Sequence, residues 1–372
     1  MNILEVLKTY AAPDRLIVYA MVICMAVGAL DYLMGDKWRL GSKFIEGFRA
    51  FGSLAITMTG ILVLVPLIEK YVAPALIPLC RTLGIDPSMF AGTLLACDMG
   101  SYQLAERIAL SPEGAALGGM ILSSMMGATV VFNIPVALGI ISKDDHAAMA
   151  RGMLFGFVTV PVGCFVGGLM AGCELLMLLR NLIPVVIFAA VICVLLIAAP
   201  RVIIKVFIVF GQVINVIATI AAVIAIASTL TGFTIIPDLG SATDAMGVVV
   251  SVVMILPGAY VMIELLSRAL KTPFSKLGGL LGINDRSTLG LLSSLANTVP
   301  TFSLIKDMDE RGKVINFAFA VGAGFVLGDH LAFCSASDSS LILPLIVGKL
   351  TAGVTAAALA ILVTGNKKQV VT

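Results

Sequence analysis

This chain has little charge. Only 12% of its 372 residues are Asp, Glu, Lys or Arg, and the net charge is +2. No basic run interleaves with aromatic residues, which argues against a nucleic-acid partner. The signatures of several enzyme classes are missing too. There is no HExxH, no GxSxG and no Walker phosphate loop, so metalloprotease, serine hydrolase and ATP-driven pump find no support. Seven cysteines (Cys24, Cys80, Cys97, Cys164, Cys173, Cys193, Cys334) fall mostly inside apolar segments without CxxC spacing. That pattern reads as small core residues and not as a disulfide framework.

What is present is apolar. Hydrophobic residues make up 59% of the chain, and uncharged stretches run over 50–68, 114–142, 152–173, 181–200, 206–237 and 245–263. Each is long enough to cross a hydrocarbon core of about 30 Å. The first apolar segment, Leu16 to Met34, follows Glu5, Lys8, Asp14 and Arg15 and not a basic leader, so it reads as a retained helix. Against this background two aspartates stand out, Asp98 in FAGTLLACDMGSY and Asp329 in VGAGFVLGDHLAFC. An ionised carboxylate at membrane depth costs roughly 2.5–3.5 kcal/mol even on lenient scales, so each needs a partner or a task.

The chain also repeats. Gly52 and Glu69 recur as Gly247 and Glu264, Leu83-Gly84-Ile85 as Leu281-Gly282-Ile283, Asp98 as Asn297, and GATVVF (127–132) as GDHLAF (328–333). The matches keep their order at nearly constant offset, which suggests a duplicated transporter. The segments 88–105 and 287–305 are too polar to face lipid. If both dip in and return, the interior loops hold 17 Lys and Arg against 6 outside; if both cross, the bias vanishes. The positive-inside rule therefore favours re-entrant segments, with the N-terminus outside and the C-terminus in the cytoplasm.

The expected fold is an all-α polytopic membrane protein with about nine full spans, two re-entrant helical hairpins and two inverted repeats. It forms one transmembrane domain over 1–372: an accessory helix (14–34), repeat 1 (46–172), linking helices (173–240) and repeat 2 (241–365). Irregular backbone at membrane depth is tolerated only where it is buried or lines a wet cavity. The turns at Asp98-Met99-Gly100 and Asn297-Thr298-Val299-Pro300 are then expected to face each other and form a substrate site.

The blocks DPSMFAGTLLACDMG (86–100), FNIPVALGII (132–141), TVPVGCFVGGL (159–169), DMDERGKVINFAFAV (307–321), GDHLAF (328–333) and LPLIVGKLTAG (343–353) carry a resemblance. In them the chain resembles the ethanolamine-utilisation permease family, the EutH type. The resemblance implies a bacterial inner-membrane protein that admits ethanolamine. Its expected partner is the lipid bilayer, a homodimer is left open, and no cofactor is expected.

Ethanolamine at neutral pH is mostly an ammonium bearing a hydroxyl. Its site needs a desolvated carboxylate, amides or hydroxyls, and an aromatic face. Asp98 and Asn297 supply the first two. Thr93, Asn133, Thr298 and Thr301 are further polar candidates, and Phe90, Tyr102, Phe132, Phe302 and Phe333 are the nearby rings. Asp329 and His330 adjoin at the expected exterior end of a span, either as a helix-terminal pair or as a proton-accepting station. Lys349, ten residues into the last span, is a candidate tethered cation for a membrane aspartate when the site is empty. No metal site is expected. Two other readings compete: a channel for the neutral amine, and an intramembrane aspartyl protease built on the aspartate pair. The second fits poorly, because Cys97 precedes Asp98 and position 327 is Leu.

Overall fold

The computed structural model describes residues 13–365; Lys8, Lys367 and Lys368, counted above for orientation, lie outside them. The described chain is helical, without a strand. Helix α1 (Pro13–Leu33) leads into α2 (Gly41–Arg49), α3 (Phe51–Tyr71) and α4 (Ala73–Leu83). Two short helices follow, α5 (Ser88–Leu94) and α6 (Ser101–Ile108). Four long ones come next: α7 (Pro112–Ile140), α8 (His146–Met170), α9 (Leu175–Ala198) and α10 (Pro200–Thr231). The second half runs α11 (Ala242–Leu281), α12 (Asp285–Ala296), α13 (Thr298–Leu304), α14 (Glu310–Ala323), α15 (Asp329–Ser337) and α16 (Ile342–Thr364).

Local chemistry sets several boundaries. The Ser111, Ser241, Asn284 and Asp309 side chains accept hydrogen bonds from backbone N–H groups of the first turns of α7, α11, α12 and α14. These are N-caps, which satisfy donors that a helix start leaves free. At the other ends Gly84, Gly232 and Gly282 adopt left-handed conformations that close α4, α10 and α11.

Among the described residues, eight helical segments are long and apolar enough to cross a membrane. The chain is a multi-pass membrane protein. The region expected as a ninth crossing, 310–337, is two helices, α14 and α15, separated by five non-helical residues. Asp329 and His330, expected at the exterior end of a span, open α15 after a break of five residues, Gly324 to Gly328.

Both polar segments start and finish at the same place. The Asp86 carboxylate accepts from the backbone of Ser88, which opens α5, and of Leu110 after α6, each at 2.9 Å, and the Ser88 hydroxyl donates to the Gly114 carbonyl at 2.7 Å. Around α12 and α13, the Asn284 N–H and the Ser287 hydroxyl donate to Asp309 Oδ1 at 2.8 and 2.7 Å, and Asn284 Nδ2 donates to the Asp307 carbonyl at 3.0 Å. A second contact also occurs twice. Gly127 lies against the Leu95 carbonyl and Gly328 against the Ala296 carbonyl, each so close that a Cβ would collide.

The centre is built from α7, α8, α14 and α16. Residues Ala116–Gly127 of α7 are entirely buried and wound as a π-helix, and Thr129–Asn133 are wound the same way. Helices α8 and α16 meet at Gly163, Gly167 and Gly348, where each glycine abuts the other helix's backbone. Small residues are what allow membrane helices to approach this closely. At the periphery α1 packs on α11, with Gly258 on the Met21 carbonyl, and Asp31 accepts from the backbone of Trp38, Leu40 and Gly41 to fix the turn into α2.

Candidate functional site

Two backbone interruptions make the site. In the first, α5 ends at an extended Leu95, Cys97–Met99 form a single tight turn, and Gly100 (φ 84°) re-enters helix as α6. Glycine is needed there because its φ is positive and Ile61 fills the space beside it. Asp98 sits in this turn with its side chain 16% exposed.

The second interruption, 324–328, separates α14 from α15. Phe325 takes a left-handed conformation (φ 62°), uncommon for a bulky residue. It is held by hydrogen bonds to the end of α12: Phe325 N–H donates to the Ser294 carbonyl at 2.9 Å and Leu327 N–H to the Leu295 carbonyl at 2.8 Å. Broken backbone away from water must find such partners.

The two interruptions meet. His330 Nε2 stands 3.9 Å from Asp98 Oδ1, and the imidazole is buried with no partner at Nδ1. Asp329 accepts from the Tyr260 hydroxyl of α11 at 2.9 Å. The Phe325 ring lies 5.1 Å from the imidazole and 5.5 Å, edge-on, from Phe132. From α16, fully buried Lys349 donates to the Ser124 carbonyl in the π-wound part of α7. Its charge, and that of Asp329, act on Asp98. A carboxylate inside a membrane protein needs a cationic partner, so Asp98 is chemically suited to exchange one monovalent cation for another.

The other sequence candidates divide. Tyr102 donates to Asp338 at 3.2 Å, and its ring meets that of Phe333 edge-on at 6.4 Å, on the flank of the same turn. The Thr298 hydroxyl donates to Asn133 Oδ1 at 2.8 Å, tying the second polar segment to α7. Asn297 accepts from the backbone N–H of Val299 and so caps its own helix. Beside Asp98 the structure also places His330, which the sequence did not pair with it. Thr93 donates to Met89 within α5, Thr301 bonds the Gly290 carbonyl and Ser294, and Phe302 stacks on Phe317. Phe90 is exposed.

Sequence reading missed Cys97, Ser124, Tyr260 and Phe325. Tyr260 carried a signal, since a phenol inside an apolar span needs a partner. Phe325 had only its flanking glycines, and Ser124 contributes a backbone carbonyl, which sequence does not reveal.

The family model described as "Ethanolamine utilisation protein, EutH" matches residues 14–363. The chain is 46% identical over 348 residues to a probable ethanolamine permease EutH of Listeria monocytogenes, covering 94% of this chain and 93% of that protein. It is 40% identical to an uncharacterized protein, YxeR, of Bacillus subtilis (92% and 93% covered). It is also 40% identical to a probable ethanolamine permease EutH of Salmonella typhimurium (94% and 95% covered). No solved structure matches.

Proposed function

We propose, for a chain that belongs to the EutH family of ethanolamine utilisation proteins, that it carries ethanolamine inward across a bacterial inner membrane as the ethanolammonium cation, by alternating access. The observation that carries this reading is the charge of the buried cluster. Lys349 lies close enough to act on Asp98, and a small ammonium is the substrate that can take over that role. A neutral amine would leave the carboxylate unbalanced. Asn133 and Thr298, already hydrogen-bonded to each other, are the groups suited to the substrate hydroxyl.

Alternating access is attributed to two inverted repeats, 46–172 and 241–365, joined by linking helices over 173–240 and preceded by α1. Each contains a hairpin, α5–α6 or α12–α13, that enters and leaves on one face. The hydrogen bonds that tie together the two ends of each hairpin support this reading. So does the recurrence of Gly127 on Leu95 as Gly328 on Ala296. With α14–α15 counted as one broken crossing, nine crossings result, and the repeats lie inverted. Substrate sites at interrupted helices between such repeats are a common transporter solution.

Lys349 acts as a tethered stand-in cation. In the empty state its ammonium offsets the aspartates, and the arriving substrate takes over that task. Net charge at the site then changes little across the cycle, and no sodium is required.

Reconstitution into proteoliposomes tests the reading. Labelled ethanolamine should enter saturably, show counterflow, and proceed without sodium. Uptake that neither saturates nor exchanges would identify a channel instead, and absence of uptake would reject the ethanolamine assignment.

A further inference from the structure

Around Asp98 the donor atoms are not those of a plain ammonium site. The thiol of Cys97, a carboxylate oxygen of Asp98 and a ring nitrogen of His330 lie within 4.8 Å of one another. Cys97 is fully buried and His330 is 2% exposed. His330 Nδ1 has no partner, and Nε2 at 3.9 Å from Asp98 is beyond hydrogen-bond length. Nitrogen, sulfur and oxygen donors thus converge from two interruptions, with an aimed imidazole that nothing satisfies.

We propose that this cluster binds a thiophilic divalent cation of the zinc and cadmium class, with Cys97, Asp98 and His330 as ligands. Tetrahedral zinc, with bonds of about 2.0–2.3 Å, holds its ligand atoms about 3.3–3.7 Å apart. The cluster therefore needs to tighten by no more than a side-chain adjustment. Mixed sulfur and imidazole donors select against sodium, magnesium and calcium, which prefer oxygen. On binding, the Cys97 thiol gives its proton to solvent and its sulfur bonds the metal, so thiolate and carboxylate together match the dication's charge. Water completes the shell. Lys349 keeps its bond to the Ser124 carbonyl, outside the ligand set. Because the metal takes the Asp98 carboxylate, it excludes a cationic solute from the same place.

The site rests on donor geometry and not on which solute is carried, and its test has a readout free of transport. Purified full-length protein titrated with Cd2+ should develop the ultraviolet absorption of a cadmium–thiolate bond at one metal per chain. Cys97→Ala should remove that absorption, and His330→Gln should weaken the binding at least about tenfold, since losing a ligand costs no less than losing its outer-shell support. Cys97→Ser carries the same expectation if the alanine variant does not assemble. In proteoliposomes Cd2+ and Zn2+ should inhibit uptake competitively and reversibly with chelator, and the uptake that Cys97→Ala retains should need at least about tenfold more metal for half-inhibition than wild type. Absorption unchanged in both Cys97 variants, or none in the wild type, would overturn the site. Failure of ethanolamine uptake with the absorption intact would leave the metal site standing and reject only the transport reading.

Discussion

The ammonium of Lys349, wholly enclosed, donates to the main-chain carbonyl of Ser124. That carbonyl belongs to a stretch of α7 wound as a π-helix, the geometry that often marks functional places in helices. A lysine held by one carbonyl can be released by a competing cation. Lys349→Met should accordingly slow net ethanolamine uptake more than homoexchange, because in exchange the site is filled on both strokes. Measuring both fluxes on one preparation checks this; equal losses, or an absolute sodium requirement in the wild type, would reject the tethered-cation role.

Asp98→Asn should leave the protein inserted while weakening ethanolamine binding. Losing one charge-assisted hydrogen bond costs roughly 1.5–3 kcal/mol, equivalent to one to two decades of affinity. Asn297→Ala, which removes only a helix cap, should affect binding less. Half-saturation of uptake for the two variants gives the comparison. A wild-type value for Asp98→Asn would make Asp98 structural.

Topology is open to direct labelling. Cysteines placed singly at positions 75 and 110 of a cysteine-free background should react from the same, exterior side. Positions in 268–286 and 306–313 should react from the cytoplasm. Opposite faces for 75 and 110 would remove the hairpin and make the repeats parallel.

The pair Asp145–Lys313 joins the start of α8 to α14 at 2.7 Å, with side chains only 5% and 12% exposed, and Glu310 also reaches Lys313. Breaking a buried pair by removing one partner costs about 3–5 kcal/mol. Lys313→Met should lower the thermal midpoint of the detergent-solubilised protein, and adding Asp145→Asn should recover most of the loss. No recovery in the double variant would mean that packing, not the ion pair, holds this junction.

Much of this was legible before any coordinates. Mean hydropathy and charge spacing alone marked the multi-pass class, because a chain with long uncharged runs has no other stable solvent. The family was legible in its blocks, and Asp98, Asp329 and Lys349 announced themselves as charges where charge is expensive. Sequence symmetry also located both polar segments. It could not choose partners. Asp98 found His330 because α14 stops at Gly324 and the chain bends back along the end of α12 before α15 begins, an event decided by hydrogen bonds to the Ser294 and Leu295 carbonyls. Asn297 turned inward to cap its own helix, a choice local geometry made over symmetry. Tyr260 showed in sequence only that it needs a partner, while Phe325 and the Ser124 carbonyl entered the site through tertiary packing, since backbone groups have no signature in one-dimensional pattern. Composition determined the solvent and the expensive residues, and the close approach of glycine-lined helices decided which of them meet.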